Sequence, residues 1–177
     1  MNNGLFLLSI EDVARIPQEL RCIKASEEFT GDINYKTKTV SWWTRSAISG
    51  RNNTNGVHVV LPDGKICRCM SNTERFRQTG CCNVATHCDA EWVAVVPAMH
   101  LQSDIISALL RDKDEYILYG KTSSGDNYKW IDISKYIGTP TLLMAECLPE
   151  ARCFDSTLNE YDKSDIKQFL ENFKIWG

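Results

Sequence analysis

The residues of this chain with the most chemical capacity are eight cysteines and three histidines. Cys67-x-Cys69, Cys81-Cys82, His87-Cys88, Cys147 and Cys153 supply enough sulfur and imidazole for a zinc site. Zinc sites, however, present ligand pairs about two to four residues apart, and neither C-x-C nor C-C has that spacing. His87 adjoins Cys88, but a nucleophile and its base are brought together by the fold rather than by adjacency in sequence. Ser-His-Asp orders, glycine-rich phosphate loops and paired-carboxylate motifs are absent from the sequence. The expectation is reduced, packed thiols, with no catalytic residue, no metal and no cofactor. A thiol- or metal-dependent enzyme is the alternative.

Binding chemistry is better represented. Arg51, Asn52, Asn53 and Asn55 sit in an Asn-rich stretch that offers nothing to bury and reads as an exposed recognition loop. Arg68, Arg75 and Arg77 follow a turn signal, and residues 36–77 hold eight Lys and Arg against Asp63 and Glu74. Such a patch attracts phosphate or an acidic protein surface. The whole chain is mildly acidic, at net charge −3 and pI about 5.6, which disfavours a general nucleic-acid binder. Trp42 and Trp43 offer rings for stacking, yet strand alternation points them opposite ways, so at least one belongs to the core. Arg45 reads as a structural anchor.

These residues need elements to hold them. A chain of 177 residues, 43% hydrophobic and 24% charged, has ordinary globular composition and one domain's length. Its apolar runs are far shorter than the ~20 residues of a membrane span, and its beginning lacks the basic and apolar regions of a secretory signal, so a cytoplasmic protein is expected. Leu5-Phe6-Leu7-Leu8 suits a buried strand, and Ser9 caps a helix that Pro17 ends. Residues 40–44 and 92–96 read as strands, the latter ended by Pro97. Residues 57–61 and 65–70 flank Pro62-Asp63-Gly64 as a hairpin. A helix is predicted from Ser103 to about Arg111 with Ile105, Ile106, Leu109 and Leu110 on its apolar face. Three strands follow at 116–119, 128–133 and 141–145. A closing helix, capped near Asp162 to Asp165, carries Ile166, Phe169, Leu170 and Phe173. The fold class is therefore α+β, with antiparallel strands, two or three helices and long loops.

Eight short pieces of the chain resemble an uncharacterised domain family of bacteria and their phages. Leu5-Phe6-Leu7-Leu8-Ser9-Ile10-Glu11-Asp12-Val13, Trp42-Trp43-Thr44-Arg45-Ser46 and Val93-Ala94-Val95-Val96-Pro97-Ala98 are similar to that family's "FLLS-x-EE", "WWLRS" and "VRPAL" motifs. Thr44 stands where the family has Leu, and Val96 where it has Arg. Tyr119-Gly120-Lys121, residues 128–133, residues 142–146, Arg152-Cys153-Phe154-Asp155 and residues 164–170 resemble the family's opening half, which here comes second. The resemblance thus implies a circular permutant, a single domain 1–177 whose halves 1–101 and 102–177 do not fold alone, and a last helix that ends near the first strand.

The family is similar to the C-type-lectin-like superfamily, which includes formylglycine-generating enzymes and hypervariable ligand-binding domains. That likeness implies a C-type-lectin-like twisted antiparallel sheet with a long-loop ligand face. The function expected from it is a non-enzymatic binding module for a protein partner in a bacterial cytoplasm, with nucleic acid not favoured and no membrane. The alternative is a phage-encoded inhibitor of a bacterial defence nuclease, of the anti-CRISPR type. No residue specifies an oligomeric state.

Overall fold

The computed structural model describes residues 4–48, 56–66 and 85–175. Among these residues, four short α-helices, α1 (Ile10–Arg15), α2 (Ser103–Ala108), α3 (Ser134–Ile137) and α4 (Asp165–Asn172), accompany nine strands. These are β1 (Ile33–Asn34), β2 (Thr39–Val40), β3 (Trp42–Ala47), β4 (Gly56–Val60), β5 (Ala85–His87), β6 (Ala98–His100), β7 (Ile117–Lys121), β8 (Asn127–Asp132) and β9 (Thr141–Met144). All named strand pairs are antiparallel, in sheets ordered β1-β2, β3-β4-β5 and β6-β9-β8-β7. The fold is mixed α and β with antiparallel sheets, one of them curled into a half-barrel.

Two extended segments join the larger sheets. Phe6 bridges Ala98 and so adds an edge to β6, while the Leu8 carbonyl accepts the Arg45 N–H of β3 at 2.9 Å. Residues 93–96 run between β3 and the 148–152 segment. Trp43 N–H donates to the Ala94 carbonyl, Leu148 N–H to Val95 and Arg152 N–H to Val93. Both edges of this segment are thus paired, and Val93, Ala94, Val95 and Val96 are all fully buried, so neither side faces water and the run is continuously apolar instead of alternating. Leu7, Trp42, Val59, Val95, Ile117, Trp130, Leu142 and Leu170 belong to one hydrophobic cluster, so both parts of the chain share a core.

Several local expectations meet a different tertiary solution. Ser9 does cap α1, its hydroxyl accepting the Asp12 N–H at 3.1 Å. The Pro62-Asp63-Gly64 turn forms, closed by Leu61 N–H to the Lys65 carbonyl at 3.1 Å. Yet Lys65 and Ile66 do not pair with β4, because both edges of β4 are taken by β3 and β5. Helix α2 stops at Ala108 rather than Arg111, and only Ile106 of its expected apolar face is buried. The Leu110 carbonyl instead accepts the Leu118 N–H and Arg111 bridges Ile117, so this stretch covers the free edge of β7.

The closing helix is capped by Ser164, which accepts the Lys167 N–H at 3.2 Å, instead of by Asp162. It starts, rather than ends, near the first strand: the Tyr161 hydroxyl just before it accepts the Leu7 N–H at 3.2 Å. Its far end lies on β7, where Lys121 N–H bonds the Ile175 carbonyl. Gly120, at φ +78°, allows this closure, since a Cβ there would stand 2.6 Å from the Ile175 oxygen.

Candidate functional site

Arg51, Asn52, Asn53, Asn55, Arg68, Arg75 and Arg77, the binding residues expected from sequence, lie outside the described residues. So do Cys67, Cys69, Cys81 and Cys82. Both tryptophans of β3 are completely buried. Their indole N–H groups each find a carbonyl, Trp42 that of Arg21 at 3.0 Å and Trp43 that of Arg152 at 2.8 Å. They are packing residues with satisfied donors, as buried indoles require. Arg45 lies 3.9 Å from Asp12 and 6.0 Å from the Phe6 ring centre, tying β3 to the 5–8 segment and α1.

Cys22, Cys88, Cys147 and Cys153 are free thiols. Burial pushes all four up from their ordinary value, with Cys147 reaching about 11. Carboxylates add to the rise, Asp63 at Cys22, Asp89 and Asp155 at Cys88, and Asp165 and Glu91 at Cys153. A thiol held protonated in this way is a weak nucleophile. Among the described residues no group of three or more His, Cys, Asp or Glu is arranged to hold a metal ion. No helix among them is long and apolar enough to cross a membrane.

The described surface does contain a two-part groove at the β7–β8 hairpin. Its first basin, about 370 Å³, is floored by Tyr128, Leu148, Pro149, Phe169 and Phe173, with Lys121 and Lys174 at its rim. The second, about 480 Å³, is lined by Glu27, Glu28, Asp126, Lys129 and Glu146 together with the hairpin turn. Thr122, Ser123, Tyr128 and Pro149 line both, so the basins adjoin across a shared wall. Each falls in the range of ligand pockets, roughly 300–1,000 Å³.

Rigid elements hold the walls. Phe169 on α4 and Phe173, the residue that caps its C-terminus, have ring centres 5.5 Å apart, and Phe173 meets Tyr128 of β8 at 6.3 Å. The Arg152 guanidinium stands 3.9 Å from the Phe169 ring centre, fixing the other face of that ring. Burial raises the Tyr128 phenol, which keeps it neutral. On the second basin's floor, Lys129 lies 3.5 Å from Glu146 and 3.7 Å from Asp112. Burial alone would lower this lysine, but Glu146, Asp112 and Asp114 outweigh it and hold it charged.

Comparison with known proteins leaves the groove to be read on its own. No family model, curated protein or solved structure matches this chain. The groove is assembled from residues 26–28, 121–129, 146–150 and 169–174, segments far apart in sequence. Its only local signal is the Phe169 and Phe173 pair, which helical spacing assigned wholly to the core and which stays half-buried at the surface.

Proposed function

We propose that this chain is a non-enzymatic binding module that recognises a protein ligand. The observation that carries the reading is the groove, an aromatic basin adjoining an acidic one on rigid elements. Four thiols held protonated in the described part favour packing over thiol chemistry. On this reading the chain is a permuted C-type-lectin-like domain acting in a bacterial cytoplasm, and Arg51, Asn52, Asn53, Asn55, Arg68, Arg75 and Arg77 would add contacts. Carboxylates at the rim repel phosphate, which favours protein over nucleic acid.

A defence-nuclease inhibitor is the second reading, and the same rim favours it. Exposed carboxylates complement the basic channel in which a nuclease holds its substrate. Co-elution from a bacterial lysate on a sizing column tests the binding reading. One stoichiometric protein partner is the expected result, and for the inhibitor reading that partner loses nucleic-acid cleavage when bound. Recovery of nucleic acid alone, with steep salt dependence abolished by removing Arg68, Arg75 and Arg77, overturns the reading.

A further inference from the structure

We infer that the β7–β8 groove docks a protein segment with an apolar side chain in the aromatic basin and a lysine or arginine against the acidic rim. This deepens the binding-module reading and rests on it. Charge complementarity selects the occupant. Glu27, Glu28 and Asp126 are exposed, and among the described residues no cation is paired with any of them. The single lysine of that basin, Lys129, is already neutralised by Glu146 and Asp112. The rim therefore presents uncompensated negative charge next to half-buried aromatic rings.

The opposite end has the reverse sign. Lys121 and Lys174 border the aromatic basin and form no ion pair among the described residues. Glu150 of the same basin is paired with Arg152 at 3.6 Å, so the two lysines disfavour a cation at the apolar end and the basic side chain goes to the Glu27 and Glu28 end, which sets the direction in which the segment lies. Both basins open to solvent and share a wall, so the ligand crosses from one to the other along the surface. A polypeptide spans that path with adjacent side chains of different chemistry. A small cation reaches only the acidic half.

The probes are fluorescein-labelled peptides of about nine residues on a Ser-Gly background. They carry one Phe or Leu and two Lys or Arg at varied separations, and binding is read by anisotropy. At least one separation binds saturably, weakens about tenfold or more when its Lys become Glu, and weakens similarly on Glu27→Lys with Glu28→Lys in the protein. These two side chains are exposed, so the variant keeps its fold, and it regains affinity for the Glu-bearing peptide. Phe173→Ala removes the anchor's contact and weakens the same peptide.

The inference is overturned if no separation binds better than its Glu counterpart, or if spermine binds as tightly as any peptide. Should a lysate partner still bind the Glu27→Lys, Glu28→Lys protein with unchanged affinity, the groove assignment fails while the binding-module reading stands. With no protein partner in either form, the reading itself fails.

Discussion

Replacing Asp155 by alanine removes the polar lock on which the closing helix depends. Asp155 is 5% exposed, and its carboxylate accepts three backbone N–H groups: Thr157 at 2.9 Å, Leu158 at 2.8 Å and Asp165, the first residue of α4, at 3.1 Å. Hydrogen bonds to a charged acceptor contribute about 1.5–3 kcal/mol each, but Leu158 and Asp165 are exposed enough for water to take over part of the loss. The expected cost of Asp155→Ala is therefore roughly 2–4 kcal/mol, below the full sum of three bonds. With a urea slope of about 2 kcal/mol/M, the unfolding midpoint falls by about 1–2 M at unchanged slope.

The pH dependence has a defined sign. Burial alone would raise the Asp155 carboxyl, yet the N–H donors of Thr157, Leu158 and Asp165 outweigh it and hold it below the ordinary 3.8. Stabilisation by a depressed carboxyl is complete above the unfolded-chain value and is lost as pH falls through the lower folded value. Urea titrations of both proteins should thus show a constant gap from about pH 8 to pH 5 that narrows below about pH 3.8. A variant within about 0.5 kcal/mol of the parent at neutral pH refutes the reasoning, as does a gap that persists unchanged into strong acid.

Two further outcomes follow from burial. Trp43→Phe leaves the Arg152 carbonyl without the indole donor now 2.8 Å away, and should cost roughly 2–3 kcal/mol in urea unfolding; a loss under about 0.5 kcal/mol would show that the hydrogen bond is replaceable. Cys147, buried and pushed up to about 11, should resist a thiol reagent at about pH 8 until the chain unfolds, whereas half-exposed Cys22 is labelled in the native protein. Mass mapping of the labelled peptides checks this order, and equal labelling of the two contradicts it.

Where local chemistry decides the structure, the sequence could be read directly. The Ser9 cap, the Pro62-Asp63-Gly64 turn and the strands around 117–121, 127–132 and 141–144 depend on capping, turn preference and β composition, and they form close to where those signals put them. Competition for a partner decides the rest. Residues 109–111 have helical composition, but the open edge of β7 takes their backbone, and no local pattern reports such an edge. Alternation required only one of Trp42 and Trp43 to be inside; both are, Trp42 reaching the Arg21 carbonyl and Trp43 the Arg152 carbonyl and the Phe154 ring.

The groove was illegible for a related reason. Its aromatic floor and acidic rim come from four separated segments, and each residue taken alone reads as core or solvated surface. Phe169 and Phe173 have the spacing of a core face, and only the tertiary position of α4 over β8 leaves them accessible. Arg51, Asn52, Asn53, Asn55, Arg68, Arg75 and Arg77, chosen from sequence for exposure and charge, fall outside the described residues.

The central claim is that this groove receives a protein segment. It is tested most directly by titrating the tightest basic-aromatic peptide into ¹⁵N-labelled protein and following the backbone amide shifts. Saturable shifts concentrated at residues 26–28, 121–129, 146–150 and 169–174, and lost with Glu27→Lys, Glu28→Lys, are the predicted result. Shifts confined to another face, or none at saturating peptide, would contradict it.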